Sequence, residues 1–203
     1  DGFRELPSGK KFTLNATTGS ASASYWALTR DAMTFIEKTW EEVGIDTTIN
    51  PIPAEAMSTK RLDGELMCFI RGYGAAWDLL SAAATWTPIQ YTTWTLAPQF
   101  ARYYQTGGEA GVKPPEDSAF KKLQDLYEKA IRTPEQEERN QILLEAYQLH
   151  IDEGPLTIGV CGDHPRPIVA SNNFRNVPNF GIEGPWDLAF PGATNPEQYF
   201  IKE

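Results

Sequence analysis

The stretch "GYGAAWDLLSAAATWTP", from Gly72 to Pro88, sets Tyr73, Trp77, Asp78 and Trp86 among alanines and glycines. Flat rings beside one carboxylate, with small neighbours that leave space, can stack on and hydrogen-bond a sugar ring, a peptide or a heterocycle. The same rings can pack a core, since six tryptophans in 203 residues must mostly be buried somewhere. Pattern alone leaves Trp77 and Trp86 balanced between the two uses. Trp40 falls on a helical stripe and is assigned to the core; Trp26 fits either.

Catalytic chemistry finds little support. "TGGEAG" at 106–111 has the glycines of a phosphate loop but lacks the lysine and hydroxyl pair that would grip phosphate and magnesium, so a turn between helices explains it better. "HPRP" at 164–167 sets His164 near an arginine, yet no G-x-S-x-G elbow occurs, and His164 is assigned to a loop. Glu135, Glu137 and Glu138 crowd a helix start, where the macrodipole favours negative charge, and form a solvated face. No nucleophile, base and orienting group come together, so no catalytic residue is expected. His150 and His164 match no metal-ligand spacing, and neither metal nor cofactor is expected. Cys68 and Cys161 lie in the short apolar runs "LMCFI" and "LTIGVC" and are expected as free core thiols.

A net charge of −9 argues against a nucleic-acid partner, because phosphate binding needs a basic surface. Apolar residues at 41% and charged residues at 22% are those of a globular chain with ample core. No apolar run approaches the roughly 20 residues that span a bilayer. The sequence opens at Asp1 without methionine or signal peptide, as expected of a processed protein or an excised piece.

The elements that would position the aromatic stretch alternate. "FRELPSGKKFTLNAT" turns at "PSGK" and predicts a hairpin or two short strands. Leu28, Ala32, Phe35, Ile36, Trp40 and Val43 recur at helical spacing, predicting a helix over about Ser24 to Val43, closed by Gly44. "IDTTINPI" alternates as a strand, "PAEAMSTKRL" predicts a short helix, and "ELMCFIRGY" a buried strand. This order predicts an α/β layer of mostly parallel strands flanked by helices. Ligands of such sheets meet the loops beyond the strands' carboxyl ends. Tyr73 to Trp86 would emerge there, joined by Asn15, Thr17, Thr18 and Ser20 from the first loop. An irregular, partly helical excursion and two helices follow. The second helix is expected to start with Thr133 as N-cap, Pro134 first, and Gln136 completing a capping box. Ile142, Leu143, Ala146, Tyr147 and His150 form its inward stripe. "PLTIGVCG" and "RPIVAS" are expected as late strands, and the tail from Asn172 as loop.

In order and spacing, the chain resembles the C-terminal part of the family 5 extracellular solute-binding proteins, the receptors of ABC importers for peptides, nickel and oligosaccharides. "DGFRELPSGKKFTL" matches the strand entering the second lobe, and "TFIEKTWEEVGIDTTI" the helix and strand that follow. "DGELMCFIRGYGAAWD" matches the strand leading to the cleft. "AIRTPEQEERNQILLEAYQLHIDEGPLTIGV" is similar to the late helix pair and strand, and "NPEQYFIKE" to the ending. The resemblance implies a periplasmic-binding-protein-like (type II) lobe cut from a protein of about 500 residues in two lobes. Residues 1–170 would be the C-terminal ligand-binding lobe, and residues 171–203 a tail packing on the missing N-terminal lobe. It further implies a substrate-binding component, periplasmic or extracellular, with a lipid anchor as an option for the full-length protein. Its partners would be an ABC permease of the cytoplasmic membrane and a small oligomeric ligand. The ligand would be held by Tyr73, Trp77, Asp78, Trp86 and Thr18.

In the family's oligopeptide binders, an aromatic of this strand is followed three residues on by an aspartate that pairs with the peptide amine. Here Ala76 stands at that place if Tyr73 is the aromatic, and the carboxylate comes at Asp78. "YYQTGGEAGVKPPED" and "GVCGDHPRPIVASNNFRNVP" are similar to the branch with sugar-oligomer binders. Trp77, Trp86 and Trp94 would then stack on pyranose rings, so oligosaccharide is preferred to peptide. The rival readings are a hydrolase or transferase lobe with catalytic residues elsewhere, and a sensor or chaperone on the same fold.

Overall fold

Around one strand, β1 (Thr13–Gly19), the N-terminal part of the chain is arranged. The computed structural model describes residues 2–20, 24–70, 80, 83–92, 96–159, 169–181 and 194–202, and for residues 24–28 the backbone only. The chain divides into two units, Asp1–Gly72 with Ala84–Asp125, and Tyr73–Ala83 with Leu126–Glu203.

In the first unit, α1 (Ser24–Glu42) leads to β2 (Asp46–Ile52), α2 (Ala54–Leu62) to β3 (Cys68–Phe69), and the sheet order is β2-β1-β3. Both pairings are parallel: Thr13 lies against Asp46 through Gly19 against Ile52, and Ala16 and Thr17 lie against Cys68 and Phe69. Parallel neighbours need crossover connections, and the two helices supply them. Because β2 and β3 flank β1 on opposite sides, right-handed crossovers send α1 and α2 to opposite faces. The α/β reading holds. The "PSGK" turn is a tight hairpin held by one Glu5–Lys11 bridge. Gly44 ends α1 at φ 81°, and a Cβ there would stand 2.7 Å from the Gly2 carbonyl oxygen, so the turn requires glycine.

The inward face of α1 differs from the expected stripe. Met33 and Thr29 are buried, while Phe35 is 73% exposed and Val43 is also exposed. Phe35 stands two residues past Met33, about 200° round the helix, so both cannot face the sheet. Trp40 is half-buried rather than core. The "ELMCFIRGY" strand shrinks to the two residues of β3, with Met67 exposed and Cys68 half-buried, because among the described residues only β1 pairs with it.

Beyond the sheet come a single turn α3 (Ala83–Trp86) and α4 (Pro98–Gln105). "TGGEAG" is indeed a turn. Thr106 Oγ1 donates to the Arg102 carbonyl at 2.9 Å and accepts from Ala110 N–H at 2.9 Å. The next helix, α5 (Ala119–Ile131), is capped by Ser118, whose Oγ accepts from Lys121 N–H at 3.3 Å.

In the second unit, α6 (Gln136–Asp152) buries Ile142, Leu143 and Ala146, while Tyr147 is exposed and His150 half-buried. The expected capping box is absent: α6 begins at Gln136 behind Glu135, which makes no side-chain cap. Thr133 instead turns its hydroxyl back to the Lys129 carbonyl at 2.8 Å, finishing α5. Arg139 Nη1 closes the turn by donating to the Thr133 and Pro134 carbonyls at 3.0 and 3.2 Å. The late strands are not formed where described: Pro155 to Gly159 and Val169 to Ser171 have no ladder partner, and Val169 is 94% exposed. Among the described residues, the strands of this unit lie in the tail, where β4 (Phe174–Arg175) pairs antiparallel with β5 (Phe200–Ile201).

Candidate functional site

The three parallel strands run the same way, so their carboxyl ends at Gly19, Ile52 and Phe69 share one edge, where open α/β sheets meet ligands. Backbone bonds lock this edge. Ser20 N–H donates to the Ile52 carbonyl at 2.8 Å, and Ile70 N–H to that of Thr17 at 3.3 Å. From α1, Arg30 Nη1 donates to the Gly19 carbonyl at 2.9 Å and brings a guanidinium to the end of β1. Periodicity gave no hint of this arginine, which reads in sequence as an ordinary charged helix residue.

Asn15, Thr17 and Thr18, expected in a loop, lie inside β1, because the run of β-branched threonines extends the ladder with β2 to its last residue. Thr17 and Thr18 are both buried and, as neighbours in a strand, face opposite sides of the sheet. The Thr18 side chain is fully enclosed and its Oγ1 has no hydrogen-bond partner. Thr47 Oγ1 is in the same condition. The register of Leu14 with Thr47 and Thr18 with Pro51 puts these two hydroxyls on one sheet face. An unmet buried hydroxyl costs about 1–3 kcal/mol, a cost the fold carries at the end of β1.

Trp86 ends the aromatic stretch and is 6% exposed; Thr87 and Pro88 after it are fully buried. Gln124 on α5 fixes them, its Nε2 donating to the Pro88 carbonyl at 2.7 Å and the Phe100 carbonyl at 3.3 Å. A ring so enclosed offers a ligand an edge at most. Tyr73, Trp77, Asp78, Trp94, Cys161 and His164 lie outside the described residues.

The opposite end of the sheet holds an acid whose pKa is lowered by its neighbours. Asp46 accepts from Thr13 Oγ1 at 2.7 Å and pairs with Lys11 at 3.1 Å. The Thr13 hydroxyl first, and Lys11 after it, hold the carboxyl below its ordinary range. It opens β2 at the amino end, away from the carboxyl edge, and serves the sheet. Burial pushes the Cys68 thiol up, which keeps it protonated and a poor nucleophile. Among the described residues, no three of His, Cys, Asp and Glu gather as a metal site, and no helix is long and apolar enough to cross a membrane.

No protein-family model and no curated protein sequence matches the chain. Solved structures do. An oligopeptide-binding protein, OppA, superposes on 100% of this chain with TM-score 0.68 at 23% identity, the match covering 32% of OppA. A periplasmic binding protein from Agrobacterium fabrum, MelB, solved with stachyose, matches 74% of this chain and 21% of its own, with TM-score 0.54 at 14% identity. NikA from Brucella suis, solved with Fe(III)-EDTA, overlaps 75% of this chain and 26% of its own, at TM-score 0.49 and 12% identity. The chain has the α/β fold of the periplasmic solute-binding proteins, spanning a segment equal to 32% of the length of an oligopeptide-binding protein.

Proposed function

We propose that the chain is a ligand-binding segment of an ABC importer's solute-binding protein, which captures an oligosaccharide or oligopeptide for delivery to a membrane permease. The observation that carries the proposal is the superposition of the whole chain on an oligopeptide-binding protein. Residues 1–170 form the ligand-binding lobe in this reading, and residues 171–203 a tail that packs on an N-terminal lobe. The protein acts outside the cytoplasmic membrane, free or held by a lipid anchor.

Within the site, Tyr73 and Trp77 stack on the ligand and Asp78 hydrogen-bonds it. Thr18 adds a hydroxyl from the sheet edge, and buried Trp86 anchors the end of the segment that carries the other three. Oligosaccharide is favoured over peptide because Ala76, at the place of a peptide-amine carboxylate, has no charge to offer. Thermal shift of the two-lobed protein against α- and β-linked oligosaccharides and short peptides tests the proposal. A ligand at about 100 times its dissociation constant adds about 2.7 kcal/mol of stability. A response to peptides alone removes the sugar preference; turnover of any of them removes the binding role.

A further inference from the structure

The ladder between β1 and β3 stops short, and one side chain stands at its end. Carbonyls two residues apart in a strand point the same way, so on β1 those of Thr17 and Gly19 both turn toward β3. The Thr17 carbonyl accepts from Ile70 N–H at 3.3 Å. In a parallel ladder the next bond of this series would run from the N–H of residue 72 to the Gly19 carbonyl. Ile70 already lies outside the strand, which ends at Phe69. The Gly19 carbonyl accepts instead from Arg30 Nη1 at 2.9 Å.

The helix is built to deliver this group. Thr29 and Met33, both buried, mark the inward face of α1, and half-buried Arg30 stands three residues before Met33 on that face. Side chains of a helix lean toward its N-terminus, and α1 starts at Ser24, shortly after β1 ends at Gly19. A long side chain in the second turn therefore reaches back to the end of the strand. Its charge strengthens the bond, since a charged donor binds a carbonyl about twice as strongly as a neutral one. Beyond Ile70 the chain passes through Arg71 and Gly72 to Tyr73, where the second unit begins. The ladder is thus closed just ahead of the aromatic stretch.

We propose that Arg30 is a positioning residue of the binding edge. By taking the Gly19 carbonyl it ends the β1–β3 ladder at Ile70 and fixes the point at which the chain is released from the sheet ahead of Tyr73. The clamp is read from the sheet itself; its use in holding a ligand rests on the function proposed above.

Hydrogen–deuterium exchange with mass spectrometry on the two-lobed protein tests the clamp without a ligand. Arg30→Met keeps the apolar stem and deletes the donor. Amides of residues 17–20 and 68–70 should then exchange about tenfold faster, while those of α5 hold their native rates. Arg30→Lys, which keeps one charged donor, should restore most of the protection. A stem that only packs would leave the Met variant like the native protein. Isothermal titration with maltotriose, cellotriose and trialanine as probes reads the ligand side. A probe that binds the native protein should bind Arg30→Met about tenfold more weakly and recover in Arg30→Lys. Three results would overturn the proposal: native exchange at both segments in Arg30→Met, rates raised equally through α5, or unchanged affinity of Arg30→Met for a probe that the native protein binds. The expected exchange pattern with no probe bound by the native protein would support the clamp and count against the binding role.

Discussion

Thr18 carries a cost to the fold and a role in the proposed site. Its hydroxyl is enclosed without a partner near the carboxyl end of β1. Thr18→Val removes that hydroxyl at nearly constant shape, so stability should hold or rise by about 1 kcal/mol. Ligand affinity of the two-lobed protein should fall. Chemical denaturation beside calorimetric titration reads both, and unchanged affinity would remove Thr18 from the site. Gln124 is the opposite kind of residue, since its amide donates to the buried Pro88 carbonyl that ends the aromatic stretch and to the part-buried Phe100 carbonyl of α4. Gln124→Leu should cost about 1–3 kcal/mol in a urea titration, because the Pro88 carbonyl stays buried and loses its donor. Trp86→Ala should cost more, about 3–5 kcal/mol, as expected for deleting a ring that is 6% exposed. A much smaller loss would mean that the ring is not packed as described.

At the scale of elements, what the sequence disclosed depended on how local the signal was. The β–α–β–α–β order and the ends of α1 were legible because periodicity and Gly44 are local cues. Which face of α1 turns inward was not, because Met33 and Phe35 are both apolar and the choice belongs to the sheet beneath. The capping box failed for a similar reason. Thr133 had a competing acceptor, the Lys129 carbonyl of the preceding helix, that no single-helix pattern includes. Of the site, the strand edge was legible and Arg30 was not, since its partner is a backbone oxygen of another element. The bare start of α6 leads to a prediction: Glu135→Ser should stabilise the chain by about 0.5–1 kcal/mol by supplying the missing cap, read as a shift in the denaturation midpoint. The amino end of the sheet leads to another. Asp46 has its carboxyl pKa lowered by Thr13 and Lys11, so its contribution is complete above the ordinary value of 3.8 and fades as pH falls through the lower folded value. Asp46→Asn should therefore flatten the acid limb of the stability curve below about pH 4. The difference should be small and should shrink further with salt, since the pair is solvent-screened.

Across the whole molecule, the chain has a parallel sheet whose carboxyl edge is the proposed binding edge, and it spans 32% of the length of the oligopeptide-binding protein it matches. Capture between lobes requires both halves, and closure on the ligand supplies much of the enclosure. Affinity should therefore belong to the two-lobed protein and be weak or lost in residues 1–203 alone. The central claim is capture without conversion. Isothermal titration of the two-lobed protein with oligosaccharides and oligopeptides, followed by chromatography of the recovered ligand, tests it most directly. Saturable binding of one class, with the ligand returned intact, is the predicted result. Cleaved or transferred product, or no binding of either class, would contradict it.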